Sequence, residues 1–229
     1  IFYHKIKQTT AGYRRLFFKN CLNFCIIKIQ NLTKIMIHQV LVGHMLGDGH
    51  IAKVSRGNSY FTTHRKADHH EYNLWTKNIL LNSGLSISDT YPSIRESGGS
   101  HNFPSSYLRT GRGRFWSEQR LVWYKNGRKI LPRKYVEKNF KTLSFLLWYL
   151  DDGDSYGRIS TDNFTIEDVV FLRDFIDKKY GIKFNIEHQH NRPQHNILKC
   201  PKNKRGKLIK ILKLPNLLIP CMSYKLNLL

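Results

Sequence analysis

The feature that most restricts this chain is an apolar helical stretch that ends in an acid followed by glycine, and then recurs. The first copy is Leu41-Val42-Gly43-His44-Met45-Leu46-Gly47-Asp48-Gly49. The second, roughly half a chain later, is Phe145-Leu146-Leu147-Trp148-Tyr149-Leu150-Asp151-Asp152-Gly153. A single helix of this kind is usually a core helix with a polar C-terminal cap. Two copies followed by the same order of elements predict a chain built twice on one plan.

That downstream order can be read from pattern. After Gly49 comes a polar, hairpin-like stretch over 51–66, with turn chemistry at Arg56-Gly57-Asn58-Ser59. A helix is predicted over 68–82, with Tyr72, Trp75, Ile79 and Leu80 on one face and Gly84 past its end. Strands at 89–95 and 107–112 follow, then a helix from about Arg114 to Lys125 that stops at Gly127. The second half replays this order. A strand-like stretch lies at 155–162. Thr165 then starts a helix by accepting the amide of Asp168, its core face is Ile166, Val169, Val170 and Ile176, and Gly181 ends it. Strands at 183–189 and 195–199 and a helix near 206–213 complete it. The expected fold is α+β: two pseudo-symmetric αββαββα halves, the motif helices paired at their interface and an antiparallel sheet in each half. The expected boundaries are a basic extension at 1–35, a first half at 36–137 and a second at 138–229.

Charge indicates the partner. Lys and Arg number 38 against 16 Asp and Glu, a formal +22 in 229 residues. The excess is interleaved with aromatic residues, as in a folded nucleic-acid binder rather than a basic tail. A basic structural protein has the same balance, but nothing in its role calls for the repeated acid-Gly. No run of about 18 apolar residues indicates a membrane partner. Cys21, Cys25, Cys200 and Cys221 form no CxxC pair, and His188, His190, His195 and Cys200 match no standard zinc spacing. Residues 1–35 contain no acid and are partly like a transit peptide, while the first Met is Met36. The reading frame is therefore expected to extend upstream of a core that begins there.

An Asp at a helix C-terminus adds charge where the dipole is already negative. A divalent cation resolves the conflict, since it takes carboxylate and backbone carbonyl oxygens as hard ligands. If the two helices pack side by side, helped by the small face of Gly43 and Gly47, Asp48 and Asp152 meet. Two carboxylates facing a basic surface suit metal-assisted hydrolysis of phosphodiesters.

The sequence resembles the LAGLIDADG homing endonucleases in their single-chain, two-motif form, over nearly everything from Met36 onward. It is most similar to the branch that includes the yeast mitochondrial omega-intron endonuclease. The resemblance rests on Leu46-Gly47-Asp48, on Trp148-Tyr149-Leu150-Asp151-Asp152-Gly153, on Arg128-Lys129-Ile130-Leu131-Pro132 and on the segment from Leu218 to Leu226 with Tyr224-Lys225-Leu226. Leu147 and Asp151 depart from it, standing where the family motif has small residues at the helix contact.

The resemblance implies that Asp48 and Asp152 are catalytic metal ligands, helped by the backbone carbonyls of Gly47 and Asp151. Lys129 and Lys225 would be the active-site lysines, polarising the attacking water or stabilising the phosphorane. The implied cofactor is Mg²⁺, two or three ions, with Mn²⁺ or Ca²⁺ able to substitute in binding. The implied partner is double-stranded DNA with a target of roughly 20 base pairs, cut once on each strand by a monomer to promote intron mobility. Strands lying in the major groove would read the bases. Alternation, with Ala52, Val54 and Phe61 inward, puts Lys53, Ser55, Thr62 and His64 on the reading face. Arg95, Arg109, Arg158, Asn185, Glu187 and Gln189 occupy comparable places. The alternative function is an intron-encoded RNA maturase on the same fold. An AT-rich coding bias points to an organelle, the mitochondrion first and the chloroplast second.

Overall fold

The computed structural model describes residues 35–83, 93–95, 104–189, 192–213 and 219–227. The first motif forms helix α1 (Ile35–Leu46) and the second forms α5 (Thr142–Asp152). Between them lie β1 (His50–Ala52), β2 (Tyr60–Lys66), α2 (His70–Asn82), β3 (Ser93–Arg95), β4 (Ser105–Arg109), α3 (Arg114–Trp123), β5 (Tyr124–Lys125), β6 (Arg128–Lys129) and α4 (Arg133–Asn139). After α5 follow β7 (Arg158–Ser160), α6 (Ile166–Tyr180), β8 (Asn185–Gln189), β9 (Arg192–Lys199) and α7 (Arg205–Leu212), with a closing 3₁₀ turn at Pro220–Leu226. Apart from Ile35, the expected extension at 1–35 lies outside the described residues. So do His190 and Gly84.

Two antiparallel sheets flank the helix pair, as the α+β plan requires. The first has strand order β1-β2-β4-β3 and the second β7-β9-β8. The second is one strand shorter, because the counterpart of β1 shrinks to a single bridge between Gly153 and Ile159. The Asp154 side chain explains this. Its Oδ1 accepts the amides of Tyr156 and Arg158 (2.9 and 3.0 Å), which turns the chain back directly after the motif.

Helices α1 and α5 are apolar all round because they are buried all round, each covered by its own half and by the other helix. Their contact runs along the glycines. A methyl group on Gly43 would come within 2.6 Å of Leu147 Cβ, and one on Gly47 within 2.4 Å of Asp151 Cβ. Ser144 Oγ donates to Gln39 O (2.8 Å) further along the same seam.

Several local expectations hold. Tyr72, Trp75, Ile79 and Leu80 are buried. Thr165 Oγ1 accepts the amide of Asp168 (3.3 Å), and Gly181 ends α6 in the left-handed region. Three expectations are corrected. In α6 the core face is Val169, Leu172 and Ile176, with Ile166 exposed and Val170 half-buried. Helix α3 ends at Trp123, because Asn126 and Gly127 both take positive φ and make a two-residue hairpin turn between β5 and β6. Ala52 pairs with Tyr60 on the outward row, and Ile51 opposite Phe61 takes the inward place. No helix among the described residues is long and apolar enough to cross a membrane.

Candidate active site

The two motif helices end at the same place but not in the same way. Helix α1 stops at Leu46, and the Gly49 amide reaches back to His44 O (2.6 Å), leaving Asp48 beyond the last turn. Helix α5 continues through Asp152, and the Gly153 amide bonds Tyr149 O (2.8 Å). Each acid is followed by glycine for lack of space. A methyl group on Gly49 would lie 2.6 Å from His44 O, and one on Gly153 2.4 Å from Tyr149 O.

Asp48 and Asp152 are brought together. Residue Asp48 keeps part of its surface exposed while its carboxyl is crowded by the surrounding helix ends, and Asp152 is half-buried. Loss of hydration, then the charge of Asp151, raises the Asp48 carboxyl above its ordinary range. Loss of hydration, then the charges of Asp48 and Asp151, raises Asp152 well above its ordinary range as well. This crowding of negative charge suits a hard divalent cation, which would favour the ionised form of both. Among the described residues no group of three or more His, Cys, Asp and Glu is arranged to hold a metal. Two carboxylates with nearby backbone carbonyls could supply only part of the oxygen shell of a hard cation.

The two lysines occupy matching places. Lys129 Nζ donates to Gly47 O and Gly49 O (3.0 Å each), on either side of Asp48. Lys225 Nζ donates to Leu150 O (2.6 Å) and Asp151 O (2.8 Å), directly before Asp152. A cation there satisfies helix-end carbonyls that lack intrahelical partners. Burial lowers both ammonium groups, Lys129 to about 8, against the pull of the three aspartates. The carbonyls of Gly47 and Asp151 therefore already accept one hydrogen bond each, with a second lone pair left.

Lys129 is held by its hairpin. The Tyr124 hydroxyl accepts the Ile51 amide (3.2 Å) and lies 2.8 Å from His50 Nδ1, while the Arg120 guanidinium donates to Ile51 O and stacks 4.2 Å over the Tyr124 ring. These contacts tie β5 and β6 to β1. Lys225 sits in the C-terminal 3₁₀ turn, which reaches across to the first half, where Tyr224 stacks on His69.

The Asp151 side chain has another role. Its Oδ1 accepts from Arg65 Nη2 (2.7 Å), and its Oδ2 accepts from His44 Nδ1 (2.9 Å) and from the Asp48 amide (3.3 Å). Burial alone would raise this carboxyl, but Arg65 and His44 overcome that and hold it well below the usual carboxylate range. Arg65 Nη1 continues to Asn73 Oδ1 (2.5 Å), which also accepts from Thr63 Oγ1 (2.8 Å), and Asn73 Nδ2 donates to Ser106 Oγ (2.8 Å). His44 and Arg65 were not among the residues expected at the site. The alternation that turns Phe61 inward also turns Arg65 inward, so a signal for it existed.

On the first sheet, Thr62, His64 and Arg109 lie on the outward face. His64 is exposed, and Arg109 is half-buried with its guanidinium 4.0 Å over Tyr60. Thr62 is covered, its hydroxyl donating to Leu108 O (2.8 Å). Lys53 and Ser55 are exposed in the loop after β1 rather than on a strand. Arg95 pairs with Ser105 in the ladder. On the second sheet, Arg158 and Asn185 flank Lys199 from either side, both exposed, and Glu187 forms an ion pair with Lys199 (3.0 Å). Gln189 lies beyond a register shift in β8 and pairs with Arg192.

Comparison with known proteins agrees with this architecture. The chain is 24% identical over 195 residues to the cytochrome b mRNA maturase bI2 of Debaryomyces hansenii, covering 82% of this chain and 72% of that protein. It is 26% identical over 203 residues to the protein of the same name from Saccharomyces cerevisiae, covering 83% of this chain but 47% of the relative. The intron-encoded endonuclease ai4 of Dictyostelium discoideum is 28% identical over 109 residues, 46% of this chain and 67% of that one. Among solved structures, the homing endonuclease I-WcaI bound to its DNA recognition sequence superposes with a TM-score of 0.63 at 18% identity, covering 85% and 87% of the two chains. I-DmoI in complex with DNA and Mn superposes with a TM-score of 0.51 at 14% identity, covering 80% and 99%. The model of the LAGLIDADG DNA endonuclease family matches residues 38–208, both motifs and both sheets included, and the chain belongs to that family.

Proposed function

We propose that this chain is a site-specific DNA endonuclease that hydrolyses one phosphodiester on each strand of a target of roughly 20 base pairs, acting as a monomer through its halves at 36–137 and 138–229. The observation that carries this reading is the meeting of Asp48 and Asp152 at two packed helix ends, each flanked by a lysine anchored on neighbouring carbonyls. The solved relatives bound to DNA, some with Mn, Mg or Ca, support it.

Asp48 and Asp152 would hold Mg²⁺, with the carbonyls of Gly47 and Asp151 available as further oxygens. When bound, the cation supplies positive charge at the scissile phosphate. The protein does the rest. Lys129 and Lys225 present ammonium groups beside the developing phosphorane charge, preorganised by their carbonyl partners. The first sheet and the loop after β1 carry Lys53, Ser55, Thr62, His64, Arg95 and Arg109, and the second sheet carries Arg158, Asn185, Glu187 and Gln189, to place the duplex. Thr62, already bonded to Leu108 O, would contribute through its methyl group.

The test is to incubate the protein and Mg²⁺ with duplex DNA spanning the uninterrupted host-gene junction and to map nicks on both strands. One staggered break that disappears in Asp48→Asn supports the reading. No break with Mg²⁺ or Mn²⁺, or one that survives Asp48→Asn, overturns it.

A second reading, an RNA maturase, is favoured by the names of the two yeast relatives. It is distinguished by stimulated splicing of the host transcript without any cut in that DNA. The same names, with the AT-rich coding bias, support placement in the mitochondrion.

A further inference from the structure

We infer that His44 and Arg65 are positioning residues that hold Asp151 across the helix seam and so link the recognition sheet of the first half to Asp48. The inference rests on the nuclease reading above and assigns to the Asp151 side chain a role separate from metal binding.

The chain of contacts is continuous. Strand β2 carries Thr62 and His64 on its outward face and Thr63 and Arg65 on its inward face. Arg65 is buried: its Nη1 donates to Asn73 of α2, and its Nη2 donates to Asp151 of α5 and lies 3.2 Å from His44 Nδ1. It also lies over the Tyr72 ring at 4.3 Å. Asp151 in turn accepts the Asp48 amide and the His44 ring nitrogen. A displacement of β2 by bound DNA thus reaches the backbone of Asp48 through two side chains, with no solvent between them.

Gly47 makes the crossing possible. Its missing side chain leaves the space that Asp151 Cβ fills, and a methyl group there would also stand 2.9 Å from Asp151 Oδ2. Superposing the motifs on acid-Gly sets Gly47 opposite Asp151, so the device exists on one side only. At the position equivalent to His44 the second helix carries Trp148, whose indole Nε1 is buried with no partner. Among the described residues, the network therefore bonds the Asp48 amide and has no twin that bonds the backbone of Asp152.

A buried ion pair with these partners gains little in stability over apolar side chains of the same shape. Fixing the geometry of a group at the reacting centre gains more, since a misplacement of about 1 Å can cost about a hundredfold in rate.

The experiment uses the full chain, its cleavable duplex in a supercoiled plasmid, and single-turnover nicking of each strand. Target binding is measured separately in EDTA. His44→Asn keeps a nitrogen donor near the Nδ1 position and should bind and nick within about threefold of wild type, whereas His44→Leu should bind equally well but nick about a hundredfold more slowly. One strand should lag the other, so that nicked circles accumulate. If His44→Leu fails to fold, Arg65→Lys keeps the charge, loses the forked contact to Asn73 and should show the same strand bias. In His44→Leu or Arg65→Lys, equal loss of binding and nicking, equal slowing of both strands, or nicking at the wild-type rate would overturn the inference. Absence of cutting by the wild-type protein would instead sink the nuclease reading itself.

Discussion

The two halves place an aspartate at the same point with opposite core chemistry. Beneath the first sheet lies a buried polar network of His44, Arg65, Thr63, Asn73 and Ser106. Beneath the second lies an aromatic cluster in which Phe140, Phe145, Trp148, Phe175 and Tyr180 pack edge to face, tilted or stacked. The helix seam explains the difference. A strict two-fold would put small residues on both helices, but here Gly43 faces Leu147 and Gly47 faces Asp151. The carboxylate pushed into the first half had to be matched by Arg65 and His44, because an unpaired buried charge costs several kcal/mol. Nothing comparable enters the second half, so apolar packing suffices there.

The largest effects should come at the acids. Asp48→Asn and Asp152→Asn should each lower cleavage by about a thousandfold or more while leaving target binding in EDTA near wild type. If one variant still nicks a single strand quickly, the halves work independently rather than as a pair. Next come the lysines. Lys129→Met and Lys225→Met should each slow cleavage about a hundredfold. Both also bear on stability: Lys225 is buried on two carbonyls, and its loss should cost about 1–3 kcal/mol in a denaturant titration. Lys129 also stands on two carbonyls, but it comes from a two-residue hairpin strand rather than from a buried turn, so its loss should cost no more than that of Lys225.

The seam itself can be swapped. Gly43→Ala should destabilise by about 1–3 kcal/mol through overpacking against Leu147 Cβ, and Leu147→Gly, which removes that atom, by about 2–5 kcal/mol through a cavity. The double variant moves bulk from one helix to the other and should recover part of both losses, with a coupling of about 0.5–3 kcal/mol. Strict additivity would mean that the helices do not meet here.

Much of this was legible in the sequence because it is local or repeated. The acid-Gly motif twice, the Thr165 cap, the Gly181 stop and the faces of α2 and β2 all follow from spacing. Asn126-Gly127 is also a local signal, but a hairpin of two-residue strands is too short to show alternation, so pattern alone continues the preceding helix to Lys125. The network at Asp151 was hidden for a different reason. Asp151 and Arg65 lie far apart in the chain, and only the angle at which two helices cross brings them together. The lysines were found by their resemblance to family motifs; nothing in their spacing would have placed each on the carbonyls beside an aspartate.

The smallest effect tests the acids as a cation site without any DNA. In the folded chain Asp48 is pushed up to about 6, against 3.8 for the free side chain. Between those values the folded state binds more protons than the unfolded one, so this group lowers stability as pH rises through that window. A divalent cation reverses the sign, since it binds only the ionised pair and only in the folded state. At about a hundred times its dissociation constant it should add about 2.7 kcal/mol. The thermal midpoint should therefore rise with Mg²⁺ over EDTA at about pH 8 and change little at about pH 5, where protons outcompete the ion. In Asp48→Asn the gain at the higher pH should shrink. An equal gain at both pH values would place the ion elsewhere on the molecule and leave the crowded carboxylates without their counter-charge.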